Sequence, residues 1–73
     1  MTTTARTRTR FALMVGTVDT FVVEDHTGRT VVCPGRVARF GDFWASLPVG
    51  GPMWTPMRTS RRAAVADLRR AAA

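Results

Sequence analysis

Alternation is the first pattern along this chain. From Thr9 the run Thr-Arg-Phe-Ala-Leu-Met-Val puts Phe11, Leu13 and Val15 on one side of an extended chain and Arg8, Arg10, Ala12 and Met14 on the other. That pattern predicts a strand with one side on a core. Gly16 and Thr17 break it, and Val18 to Asp25 follows as a β-branched run through Phe21, Val22 and Val23. His26-Thr27-Gly28 then leads into Arg29-Thr-Val-Val-Cys33. The centre therefore reads as a meander of three antiparallel strands joined by short turns, and Pro34-Gly35 ends it.

Val37 to Leu47 fits two patterns. Val37, Phe40, Trp44 and Leu47 have helical spacing, whereas Phe43 to Leu47 alone reads as a strand, and Gly41 with the bulky Phe43-Trp44 pair favours a strand from about Asp42. Pro48-Val-Gly-Gly-Pro52 is a turn, and Met53 to Met57 is extended with Pro56 keeping it out of the sheet centre. Thr59 or Ser60 then caps a helix over Arg61 to Ala72, a stretch without Gly or Pro. Its apolar stripe is Ala64, Val65, Leu68, Ala71 and Ala72, with Arg62 and Arg69 on one flank and Arg70 toward solvent. The fold class is α+β: a small antiparallel sheet of three to five strands, a meander, packed against one C-terminal helix. Residues 1–8 read as a basic flexible arm and residues 9–73 as a single small α+β domain.

A chain of 73 residues buries only about 60% of its unfolded surface, so added burial through a homodimer is expected to help it. The unbroken apolar run Phe11 to Val15 falls far short of the roughly 20 residues that span a bilayer. The basic start before that run loosely resembles a signal or transit peptide, but Gly16 and Thr17 interrupt the apolar stretch and no small-residue cleavage site follows. A cytoplasmic protein with no membrane contact is expected. The lone Cys33 excludes an internal disulfide and reads as a small buried thiol.

Charge sharpens the picture. All eleven Lys-or-Arg positions are Arg, there are five acidic residues, and the formal net charge is +6. The arginines gather toward the two ends of the chain, which favours a polyanionic partner, nucleic acid (DNA or RNA) or an acidic protein surface. In an extended chain Arg6, Arg8 and Arg10 project from one face at about 6.6 Å intervals, near a phosphate repeat of roughly 7 Å for two 3.4 Å steps. Arg62 and Arg69 on the helix reach phosphates in the same reading, and Arg58 and Arg61 stand at the helix N-terminus where anions bind. Phe40, Phe43, Trp44 and Trp54 are the candidates for stacking bases on an exposed sheet face, although at least two aromatics are needed for the core.

Catalytic patterns are weak. With a Thr27-Gly28 turn, Cys33 would pair opposite Val22, about 13 Å from His26, too far for a thiolate and its base. His26 is then a solvated turn residue. One Cys and one His fall short of a zinc site. Glu24 and Asp25 point to opposite faces of a strand, and Gly50-Gly51 precedes Pro52 rather than a helix, so neither a carboxylate pair nor a nucleotide loop is indicated. No metal, cofactor or enzymatic activity is expected. The leading expectation is a small basic, non-enzymatic nucleic acid-binding module. The alternative is a protein–protein interaction module, a small regulator, inhibitor or assembly subunit, docking through Met53, Trp54 and Met57 or through the edge strand at residues 9–15.

Overall fold

The computed structural model describes residues 6–72. Four strands come first, β1 (Thr7–Leu13), β2 (Thr20–Thr27), β3 (Thr30–Phe40) and β4 (Phe43–Pro48), followed by one helix, α1 (Arg61–Ala72). The strands form one antiparallel meander in the order β1-β2-β3-β4, with α1 on one face. This is the α+β architecture that the alternation and the helical stripe predict. Residues 1–5 of the expected arm lie outside the described residues, and β1 takes in Thr7 and Arg8 of that arm.

Register divides the residues between two faces, because directly paired residues share a face and neighbours along a strand alternate. One row is Phe11, Val23, Gly35 and Pro48, and the next is Leu13, Phe21, Val37 and Ser46. This side meets α1. Val23, Val37, Ala64, Val65 and Leu68 form the core cluster there, with Phe11, Phe21 and Trp44 packed against it. The opposite side, called the open face below, carries Arg8 and His26, then Arg10 and Glu24, then Ala12, Val22, Arg36 and Leu47. Beyond those rows stand Ala38 with Ala45, and Phe40 with Phe43.

The helix forms where its local signals place it. Ser60 is the cap, its Oγ accepting from the Ala63 N–H at 3.2 Å while its carbonyl accepts from Ala64. Ala64, Val65 and Leu68 are buried as the stripe requires, but Ala71 is exposed. The side chain of Ala72 is outside the described residues.

Several expectations are corrected. Pro34-Gly35 does not end β3, which runs on to Phe40. The register shifts between Val23 and Asp25, so that Cys33 and Pro34 together oppose the single residue Glu24. This bulge takes up a proline that has no N–H to give the ladder, and it lets pairing resume at Gly35. The β2–β3 turn is Gly28-Arg29 rather than Thr27-Gly28. Thr27 pairs with Thr30, and Gly28 at φ 59° supplies the positive φ that the first central residue of a type II′ turn needs. His26 is consequently a half-buried strand residue whose Nε2 lies 3.0 Å from Glu24 Oε1. Cys33 lies at the bulge and is exposed rather than buried. β1 stops at Leu13, and Met14 to Asp19 form a loop in which the Thr17 hydroxyl donates to the Met14 carbonyl at 2.7 Å. Val15 is therefore 99% exposed and outside the core stripe in which alternation places it.

Residues 53–58 run along the outer edge of β4, as an extended segment containing Pro56 would. Trp44 and Arg58 exchange two backbone hydrogen bonds of 2.7 Å, and the Thr55 N–H donates to the Ser46 carbonyl at 2.7 Å. The Thr55 hydroxyl also accepts from the Ser46 N–H at 2.9 Å and shares a 2.7 Å hydrogen bond with the Ser46 hydroxyl, satisfying a fully buried serine.

Candidate nucleic-acid interface

The parity of β1 decides where its arginines go. Phe11 is drawn to the core, so Arg8 and Arg10 must project from the other side, and they stand on the open face beside His26 and Glu24. Arg6, Arg8, Arg10 and His26 line one open groove at this end of the sheet. Among the described residues Arg6, Arg8 and Arg10 pair with no carboxylate, and Glu24 on the same face is engaged by His26. Arg36, at the centre of this face, donates to the Met14 sulfur at 3.6 Å and likewise has no carboxylate partner. The result is a row of cationic groups in a water-exposed depression, a geometry that accepts a string of anions.

The helix arginines are placed differently. Arg69 donates to both carboxylate oxygens of Asp25 and to the Thr9 hydroxyl. That hydrogen bonding holds the Asp25 carboxyl below its ordinary value and raises Arg69 above its own. Arg58 donates to both oxygens of Asp67 at 3.1 and 3.2 Å, and Arg70 pairs with the same carboxylate. The guanidinium of Arg61 lies 4.1 Å from the centroid of the Phe11 ring and 6.0 Å from that of Trp44. Arg62 lines a groove between β1 and α1 together with Phe11, Arg61 and Arg69. The seven arginines singled out by sequence are thus not brought together. Arg6, Arg8 and Arg10 share one face, while Arg61, Arg62 and Arg69 lie on the helix side, where Arg69 is tied to the fold.

The other end of the open face is aromatic. The Phe40 and Trp54 rings meet edge to face, 5.3 Å apart at 86°. Ala38 and Ala45, on this same face, are almost wholly buried beneath no helix, and the Phe40–Trp54 pair is the bulky group beside them. Trp54 packs on Phe40 and keeps 39% of its surface exposed. Phe43 is 48% exposed, and Met53 and Met57 flank the segment at 73% and 52%. Trp44 turns the other way, against Phe21 and the core.

Two members of this face escape sequence reasoning. Arg36 follows a Pro-Gly pair that reads as a strand end, and only the bulge keeps it in the sheet. The union of Phe40 and Trp54 joins residues whose elements are linked by no local pattern. Among the described residues no three His, Cys, Asp or Glu side chains gather as metal ligands, and no helix is long and apolar enough to cross a membrane. No protein-family model, curated protein or solved structure matches the chain.

Proposed function

We propose that this protein is a small nucleic acid-binding module that holds a phosphate backbone on the open face of its sheet through Arg6, Arg8 and Arg10, with Arg36 as a fourth contact. The observation that carries the reading is the parity of β1, which turns Arg8 and Arg10 onto one exposed face, where Arg6 lines the same groove and none of the three pairs with a carboxylate among the described residues, in a chain with net charge +6. Phosphate contacts give affinity without base readout, so binding through these groups alone is broad in sequence and steep in salt. The test is a double variant, Arg8→Gln with Arg10→Gln, titrated into a labelled oligonucleotide at about 50 mM salt, where phosphate contacts are strong. A loss of affinity of about tenfold or more supports the reading. Unchanged binding rejects it.

A second reading rests on a separate observation, the exposure of Met53 and Met57 beside Trp54. Flexible, polarizable side chains around an aromatic anchor suit a protein partner, with the arginines then meeting its acidic surface. Under that reading Met53→Ser with Met57→Ser, both at exposed positions, abolishes association with the partner while leaving the melting temperature of the domain unchanged.

A further inference from the structure

We infer that the nucleic acid taken by the open face is single-stranded, with its phosphates on the arginines and its bases stacked on the aromatic end formed by Phe40, Phe43 and Trp54. This deepens the proposed function and rests on it.

The basic and aromatic ends belong to one continuous surface. Ala12, two residues beyond Arg10, shares a row with Arg36, and Phe40 lies four residues beyond Arg36 on the same side of β3. At about 3.3 Å per residue, the span from Arg8 through Arg10 and Arg36 to Phe40 is roughly 27 Å. That length suits the shortest single-strand sites, about four nucleotides. Between the two ends lies a hollow lined by Met14, Val22, Arg36, Leu47 and the turn at Val49 and Gly50.

Charge and ring exposure select the occupant. The basic end calls for a polyanion, and a duplex would satisfy it with phosphates alone, leaving the aromatic end unused. A single strand presents its bases as well as its phosphates, and bases stack on aromatic faces without regard to sequence. Phe43 is available for this, because nearly half its surface is exposed and it pairs with Phe40 across the tip of a hairpin. The edge-to-face contact fixes Phe40 and Trp54 in position, so the platform is ordered before anything binds.

The experiment compares three labelled ligands of equal length on the intact chain at one salt concentration: a thymidine homopolymer, an abasic strand with the same phosphates, and a duplex. The expected result is about tenfold weaker binding for the abasic strand and for the duplex, with quenching of tryptophan fluorescence by the thymidine strand alone. Phe43→Ala, at a half-exposed hairpin tip, reduces thymidine-strand affinity about tenfold and leaves abasic and duplex binding unchanged. Equal affinity for all three ligands, each still weakened by Arg8→Gln with Arg10→Gln, overturns the single-strand inference while preserving the backbone-binding reading. Binding to none of the three, or binding indifferent to the two arginines, overturns both.

Discussion

Arg69 on α1 and Asp25 on β2, 44 positions apart, meet through two hydrogen bonds from one guanidinium to one carboxylate. A third hydrogen bond from the same guanidinium reaches the Thr9 hydroxyl, so this side chain ties the end of the helix to β1 and β2 at once. Asp25 is well covered, with 15% of its side chain exposed, whereas Arg69 is 43% exposed. Solvent therefore screens the pair, and Arg69→Gln is expected to cost about 1 kcal/mol of stability. Thermal denaturation checks this, and oligonucleotide binding should change far less than on loss of Arg8 and Arg10.

The same pair makes stability depend on pH in a defined sense. The folded Asp25 carboxyl lies below its ordinary value because of Arg69. Its contribution is thus complete above the unfolded carboxylate value of about 3.9 and is lost as pH falls through the lower folded value. The melting-temperature difference between the native chain and Asp25→Asn should be constant from neutral pH to about pH 5 and should shrink below about pH 4. A difference that grows on acidification contradicts the assignment.

Gly35 is crowded by both β4 and α1. A Cβ there would lie 2.2 Å from the Leu47 carbonyl oxygen and 2.7 Å from Leu68 Cδ1. The first neighbour is backbone and cannot turn aside, so Gly35→Ala should destabilise the fold by about 3 kcal/mol or more. Urea denaturation of the variant measures it. A loss below about 1 kcal/mol would contradict the close approach of the Leu47 backbone and Leu68 to Gly35.

Thr55 is predicted to matter for its hydroxyl rather than its methyl group. Thr55→Val keeps the shape but leaves the Ser46 N–H and hydroxyl without the partner they share. The expected cost is about 1–3 kcal/mol, and Ser46→Ala combined with Thr55→Val should restore part of it. Urea denaturation of the single and double variants provides the cycle.

Trp54→Ala should destabilise by about 1–3 kcal/mol, less than the 3–5 kcal/mol typical of a fully buried aromatic, because Trp54 is part exposed and part packed on Phe40. Phe43→Ala at the hairpin tip should cost less than Trp54→Ala in the same melting experiment. This ordering separates the packed member of the aromatic end from the freer one.

The elements whose signals are local were legible in the sequence. Ser60 caps α1 and Leu68 points to the sheet because capping and helical spacing act within a few residues, and the alternation through Phe11 places Arg8 and Arg10 on the opposite face in the same way. Pro34-Gly35 misleads because a bulge against Glu24, far away in the chain, converts a stop into a continuation. Cys33 is exposed together with Thr30, Val31 and Val32, along the start of β3. Arginine is ambiguous from sequence: nothing near Arg69 or Arg58 marks the carboxylates of Asp25 and Asp67 as their partners, while nothing near Arg36 marks it as a half-buried strand residue without a carboxylate. The packing of Trp54 on Phe40 depends on how residues 53–58 return along β4, and no periodicity records that.

The central claim, that the open-face arginines hold phosphates, is tested most directly by the salt dependence of single-strand binding in the native chain and in a variant with Arg6, Arg8 and Arg10 all changed to Gln. Phosphate contacts at Arg6, Arg8, Arg10 and Arg36 predict a slope of log affinity against log salt of about −2.8, and removing the first three should bring the slope to about −0.7, the value for the one remaining contact at Arg36. An unchanged slope in the variant would contradict the account.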